Sequence, residues 1–178
     1  MSNNDEMQSS LKQLHQALGI PANYVASCAL PLCLEPVALV DTELDFYQRK
    51  QRLTPAAFSA WSTLREAATR EEVSLFLISA FRDYQYQHDL IARKLEKGQA
   101  IEAVLRVNAA PGYSEHHSGR AVDVGTLGCD ALSEDFGKTK AYQWLAENAV
   151  GYGFYLSYPP NNAYGLDFEP WHWCYREE

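Results

Sequence analysis

The sequence predicts one α+β domain, a small and mostly antiparallel sheet with flanking helices. Two observations carry this: amphipathic helical repeats come first and short apolar runs return after them, and 178 residues, 47% hydrophobic and 21% charged, suffice for one full core but not for two. A third, the residue chemistry gathered on the later strands, places a site on one sheet face. Residues 1–52 read as an N-terminal helix and covering arm packed on the same domain, and residues 53–178 as its body.

Taking the chain in order, Met1 to Ser10 is polar and carries Asp5 and Glu6 where a secretory leader needs positive charge and then an apolar run, so a cytoplasmic protein is expected. A mature form whose leader had been replaced by a methionine would read the same, and would belong in the periplasm or outside the cell. Leu11, Leu14 and Leu18 recur at helical spacing, giving a helix from about Gln8 to Leu18 that Gly19 and Pro21 end. In the arm that follows, Leu30, Leu32, Leu34, Val37 and Leu39 alternate loosely and suggest one extended strand. Thr54 and Pro55 are a helix start, cap and first position, with Phe58, Trp61, Leu64 and Ala68 on one face as far as Arg70. Val73 to Phe81 is nearly continuous in apolar residues and reads as a central strand covered on both sides. Helices are expected over His88–Lys97, closed by Gly98, over Gln99–Val107, and over Lys138–Val150 with Tyr142, Leu145 and Ala149 inward. Phe154–Ser157 reads as a strand, and a last strand lies around His172.

The composition excludes several classes. A formal charge of -8 without a basic stripe argues against nucleic acid, and neither an internal repeat nor a run of membrane-spanning length is present. Cys28, Cys33, Cys129 and Cys174 fit no C-x-x-C pattern and read as free thiols of a reducing compartment; a Cys28–Cys33 disulfide is the alternative for an exported protein.

The chemistry concentrates in two stretches. Between Ala110 and Gly125, Pro111-Gly112 forces one turn and Gly119 allows another, so the segment is expected not to be helical before Ala121–Val124 forms a short strand. Strand alternation then separates Asp123 from Val122 and Val124 and presents it on the other face. Near the C-terminus Glu169 stands three residues before His172 among aromatic residues, which neither solubility nor packing explains. A hydrolytic zinc site takes three ligands from His, Asp and Glu, keeps a fourth position for water, and needs a nearby carboxylate to remove the water's proton. His116, Asp123 and His172 suit the ligands and Glu169 the base, with His117 an adjacent candidate ligand. Cys174, on the strand face of His172, would close the site as a fourth ligand and leave Glu169 without a task. Trp171 and Trp173 are expected on the opposite face, in the core.

The run S-E-H-H-S-G-R-A-V-D at Ser114 to Asp123 and E-P-W-H at Glu169 to His172 resemble the S-x-H-x-x-G-x-A-x-D and E-x-W-H signatures of the VanY-type D-alanyl-D-alanine carboxypeptidases. The resemblance covers about Leu53 to Tyr175. It implies the same fold, one Zn2+ per chain held by His116 in preference to His117 together with Asp123 and His172, and Glu169 as base. A third family motif, S-G-Y-R-S-Y-x-x-Q, is matched at Arg82 and Gln87, implying Arg82 as the oxyanion stabiliser and Gln87, with Ser114, as substrate contacts. Here Ala80, Phe81 and Asp83 replace Gly, Tyr and Ser; Asp83 is expected to cap the following helix instead of facing the pocket. The implied activity is hydrolysis of the C-terminal D-alanine of peptidoglycan stem peptides, across a D,D or an L,D linkage, by a monomer whose partner is the peptide. A D-Ala-D-Ala dipeptidase and a non-enzymatic metal-stabilised binding module are the alternatives; retention of Glu169 argues against the second. For a cytoplasmic enzyme the substrates would be soluble, recycled fragments.

Overall fold

A computed structural model describes residues 3–177. The first helix, α1 (Asn3–Ala17), begins earlier than its leucine spacing predicts, because Asp5 and Glu6 fall in its first turn, where negative charge favours a helix. Leu11 and Leu18 are buried, and His15 Nε2 lies 2.7 Å from Pro111 O, tying the helix to the Pro111-Gly112 turn. After a single turn of helix, α2 (Tyr24–Ser27), the arm crosses the domain without the strand expected between Leu30 and Leu39. Leu34 and Val37 are exposed there, and Cys33 N donates to Gly112 O, so the loose alternation faces no sheet partner.

The arm instead pairs two short strands, β1 (Val40–Asp41) and β2 (Arg52–Leu53), antiparallel to each other. Asp45 organises the loop between them: its carboxylate accepts from Tyr47 N, Arg49 N, Arg49 Nε and Gln51 Nε2 at 2.7–2.9 Å. Burial alone would raise its pKa, but the Arg49 backbone and side-chain hydrogen bonds, that of Gln51, and the Arg49 charge lower it below the ordinary carboxylate value. Asp45→Ala should therefore lower unfolding stability by about 3 kcal/mol at pH 7, chiefly through loss of the several hydrogen bonds that its buried carboxylate accepts. Because the folded pKa is depressed, this stabilisation is present above the unfolded carboxylate pKa of about 3.9 and is lost as pH falls through the folded value. Urea unfolding of both proteins at pH 7 and in acid checks this; equal stabilities at pH 7 would refute it.

Helix α3 (Pro55–Arg70) starts as its sequence predicts, with the Thr54 side chain accepting from Ala57 N and Pro55 at the first position. Its buried face, Ala57, Trp61, Leu64, Ala67 and Ala68, packs on one side of a four-stranded antiparallel sheet, with Trp61 edge-on to Phe154 at 6.4 Å. The first strand, β3 (Phe76–Ser79), is shorter than the apolar run and lies at the sheet edge, not its centre. The run is apolar because the arm covers that edge: Phe46 N donates to Leu77 O, Arg49 Nη2 to Ile78 O, the Gln51 side chain accepts from Ala80 N, and Phe81 N donates to Arg52 O. Hydrogen bonds that another strand would supply come from a loop instead.

Then follow α4 (Tyr84–Glu96), α5 (Ile101–Leu105), β4 (Ala121–Gly125), α6 (Lys140–Asn148), β5 (Phe154–Leu156) and β6 (His172–Tyr175). The sheet order is β3-β4-β6-β5, all antiparallel, so β4 and β6 are the inner strands. Helix α4 starts at Asp83, whose Oδ1 accepts from Tyr86 N at 2.7 Å; the capping expectation is met and the helix begins a turn before His88. Helix α6 is shorter than expected, its last residues tightening into a 3-10 turn at Ala149–Tyr152. Val122, Val124 and Trp173 face the α3 side. A second cluster joins Leu18, Ile20 and Leu30 of the arm to Ile91, Val104, Ala110, Tyr113 and Tyr158.

Candidate active site

The pairing of β4 with β6 sets Asp123 directly opposite His172, and strand alternation turns both away from the face that holds Val122, Val124 and Trp173. His116 arrives from the loop before β4. That loop does contain a helical turn, against expectation: Glu115–Ser118 forms one turn of 3-10 helix, closed by Gly119 N donating to His116 O at 3.2 Å. Four residues suffice for a 3-10 turn, which fits between two glycine turns where an α-helix would not. Gly119 adopts φ +64°, and a Cβ there would meet Leu39 Cδ2 at 2.8 Å, so only glycine ends the turn and lets β4 begin beneath it. The result brings one ligand atom from each of His116, Asp123 and His172 within 4.8 Å of one another, all three side chains buried.

Hydrogen bonding defines what this cluster can hold. His116 Nδ1 lies 2.6 Å from Ala80 O, a contact that requires Nδ1 to carry the proton and leaves a lone pair on Nε2. Among the described residues that Nε2 has no hydrogen-bond partner, yet it stands 3.1 Å from Asp123 Oδ2. Burial, then the charge of Arg82, depress the His116 pKa to about 4, so the ring is neutral at pH 7. Two acceptors face each other with no proton between them, the arrangement a cation resolves. His172 lies 3.0 Å from Asp123 Oδ1 through Nδ1 and 2.9 Å from Glu115 Oε2 through Nε2. Burial would lower its pKa, but the two carboxylates outweigh burial and raise it to about 10; burial would likewise raise Glu115, but the hydrogen bond and charge of His172 hold that carboxyl down at about 2. Asp123, buried but flanked by both imidazoles, stays well below the usual carboxylate range. The donor set of two imidazoles and one carboxylate suits zinc, with the second nitrogen of each histidine fixed by an oxygen acceptor.

His117 is excluded as a ligand by its own bonds. Its Nδ1 donates to Arg82 O at 2.6 Å and its Nε2 accepts from Gly112 N at 3.1 Å, so both ring nitrogens are used. Burial holds it neutral, with a pKa near 3. Its work is to brace the backbone of Arg82 against the Pro111-Gly112 turn.

A cleft of about 320 Å³ opens over the three residues, and the sequence-predicted Ser114, Arg82, Gln87 and Glu169 all line it. Burial, reinforced by the Asp123 charge and opposed by those of His172 and Arg82, pushes the Glu169 carboxyl up to about 7. Both of its proton states are then accessible near neutrality, as a general acid-base group requires. Among the described residues Arg82 has a buried Nε without a hydrogen-bond partner, and Gln87, whose Nε2 donates to Ala109 O at 2.8 Å, has a buried Oε1 without one. Asp83 does not line this cleft but a neighbouring one on the β2 side. Cys174 lies outside the ligand group, and burial pushes its thiol above the ordinary range. Only His172 of the E-P-W-H run is in strand β6. Glu169 to Trp171 form the turn before it, closed by His172 N donating to Glu169 O, so Trp171 lines the cleft and packs half-buried against the core that Trp173 enters fully.

Two site residues escaped the sequence reading. Glu115 grips His172 across 57 positions, and Tyr158 stacks on the same ring at 4.8 Å and 28°. A carboxylate immediately before a ligand histidine was the one available signal for Glu115. Tyr158 had none.

Residues 50–178 match the family model VanY, D-alanyl-D-alanine carboxypeptidase. YodJ of Bacillus subtilis (strain 168) is 36% identical over 157 residues, spanning 83% of this chain and 56% of YodJ, so the chain corresponds to little more than half of that relative's length. Among solved structures, the LD-carboxypeptidase LdcB superposes with a TM-score of 0.70 at 30% identity, over 79% of this chain and 69% of LdcB. A variant of the vancomycin-resistance D,D-pentapeptidase VanY in complex with Zn(II) gives a TM-score of 0.63 at 27% identity, covering 79% of each chain.

Proposed function

Because the chain belongs to the VanY family of D-alanyl-D-alanine carboxypeptidases, we propose that it is a zinc-dependent carboxypeptidase releasing the C-terminal D-alanine of peptidoglycan stem peptides. The observation that carries this is the unprotonated His116 Nε2 facing Asp123 beside His172, with Glu169 poised near pH 7 in the same cleft. His116, Asp123 and His172 would hold one ion per chain. Bound there, zinc would polarise the scissile carbonyl and acidify water.

The chain's own residues do the rest. Glu169 takes a proton from water as its oxygen bonds to the carbonyl carbon, and Arg82 donates to the carbonyl oxygen as charge develops on it. When the C–N bond breaks, Glu169 returns the proton to the leaving nitrogen, giving a shortened peptide and free D-alanine. Ser114 and the unpaired Oε1 of Gln87 orient the peptide, and Glu115 keeps the His172 ring in place.

All these groups come from one chain, which supports a monomer. The arm of residues 1–52 belongs to the same domain in this reading, supported by its cover of the β3 edge. Among the described residues no helix is long and apolar enough to cross a membrane, and the four cysteines are free, which favours a reducing compartment and soluble fragments as substrates. The greater likeness to LdcB favours the L,D linkage of a tetrapeptide over the D,D linkage of a pentapeptide. Zinc-loaded protein offered tetrapeptide, pentapeptide, D-Ala-D-Ala and intact wall should release D-alanine from free tetrapeptide with the highest kcat/KM. A preference for D-Ala-D-Ala would make it a dipeptidase, and release from none would overturn the enzymatic reading.

A further inference from the structure

One cation of the cleft has no part in the reaction so far. Lys94 lies on α4 seven residues after Gln87, about two helical turns further along the same face, and lines the cleft with it. Its Nζ is held by a neutral group, Asn108 Oδ1 at 3.2 Å, and Asn108 is itself anchored by Nδ2 donating to Val104 O at 3.0 Å. Among the described residues no carboxylate forms an ion pair with Lys94, although Glu169 and Arg82 are both close enough to interact with its charge. Burial, then the Arg82 charge, lower its pKa. A half-buried ammonium tethered only by an amide is a costly arrangement in the free protein, and an arriving anion relieves it. One bond to Asn108 leaves two of its three donors for that anion.

The anion follows from the geometry of the reaction. Glu169 protonates the leaving nitrogen, and the residue departing with that nitrogen carries its carboxylate two bonds away. With Arg82 assigned to the carbonyl oxygen, Lys94 is the second cation of the cleft whose charge reaches Glu169, and so the one left to meet that carboxylate. We propose that Lys94, fixed by Asn108, is the specificity-determining residue that seats the C-terminal carboxylate of the amino acid to be released. The assignment rests on the carboxypeptidase reading and extends it: it makes the protein an exopeptidase by charge recognition at Lys94, not only by the closure of its cleft.

The test compares a peptide with its C-terminal amide in the parent and in Lys94→Gln. The parent should prefer the free acid, and Lys94→Gln should raise KM for the acid by about 10- to 100-fold, the range expected for a charge-assisted hydrogen bond. Its kcat should change far less, its KM for the amide should hardly change, and Lys94→Arg should recover part of the preference. Metal content and thermal midpoint report whether the variant is intact. Calorimetric titration of D-alanyl-D-alanine and its amide, in a Glu169→Gln background that cannot turn over, reads the same preference without chemistry. An acid-over-amide preference unchanged in Lys94→Gln overturns the proposal. A parent that cleaves neither peptide, yet loses acid-selective binding in Lys94→Gln, would overturn the reaction and leave the carboxylate seat standing.

Discussion

His116→Ala is expected to strip the protein of its metal and to abolish D-alanine release. Elemental analysis of the purified parent should find about one zinc per chain, and the variant close to none. The reason lies in the shape of the site. His116 is the only member of the trio that comes from outside the sheet, and its Nε2 faces Asp123 across 3.1 Å with no proton to share. Without it, Asp123 and His172 remain paired through Nδ1 at 3.0 Å and His172 keeps Glu115. The remaining cluster therefore satisfies itself with a proton and has no need of an ion. Because that pairing survives, the variant should fold, which near-ultraviolet circular dichroism would check. Stoichiometric zinc retained after the substitution would defeat the ligand assignment.

Glu169→Ala should separate binding from chemistry. The three ligand residues are untouched, so zinc content should match the parent, while turnover should fall on the order of 10³- to 10⁴-fold with the loss of both proton transfers. Measuring kcat for D-alanine release beside metal content distinguishes the two outcomes. Turnover within a few-fold of the parent would place the base elsewhere in the cleft.

Much of this was legible in the sequence, and what was missed has a common physical origin. Thr54 and Pro55 fixed the start of α3 because capping is a local event, and the alternation around Asp123 told its strand face for the same reason. His116, Asp123, His172 and Glu169 could be named through their residue types and spacing, and the cleft gathers them with Arg82, Ser114 and Gln87. The errors are long-range. Val73 to Phe81 looked like a central strand because a covered edge and a buried centre are equally apolar, and nothing in that run reveals that Gln51 and Arg49 serve as its neighbours. The leucines of the arm alternated like a strand but met no partner. His117 and His116 are chemically identical on paper; the family spacing favours His116, and the contacts of His117 with Arg82 O and Gly112 N supply the physical reason, since they use both of its ring nitrogens. Lys94 and Glu115 carried charges of the commonest kind, and their partners lie 14 and 57 positions away.

The strand order β3-β4-β6-β5 has a consequence for how the molecule comes into being. Strand β6 is the last described element to leave the ribosome, yet it lies inside the sheet, and among the described residues β5 pairs with no other strand. Until β6 has been synthesised, β4 presents an open edge, β5 has no sheet to join, and Asp123 stands without the imidazole 49 residues downstream that pairs with it. Such closure joins distant segments in one late step, a topology that folds slowly and exposes unpaired strands while it waits. It also acts as a safeguard in time: until His172 is in place a nascent chain lacks one of the three residues proposed to hold the metal, so the proposed site is completed together with the sheet.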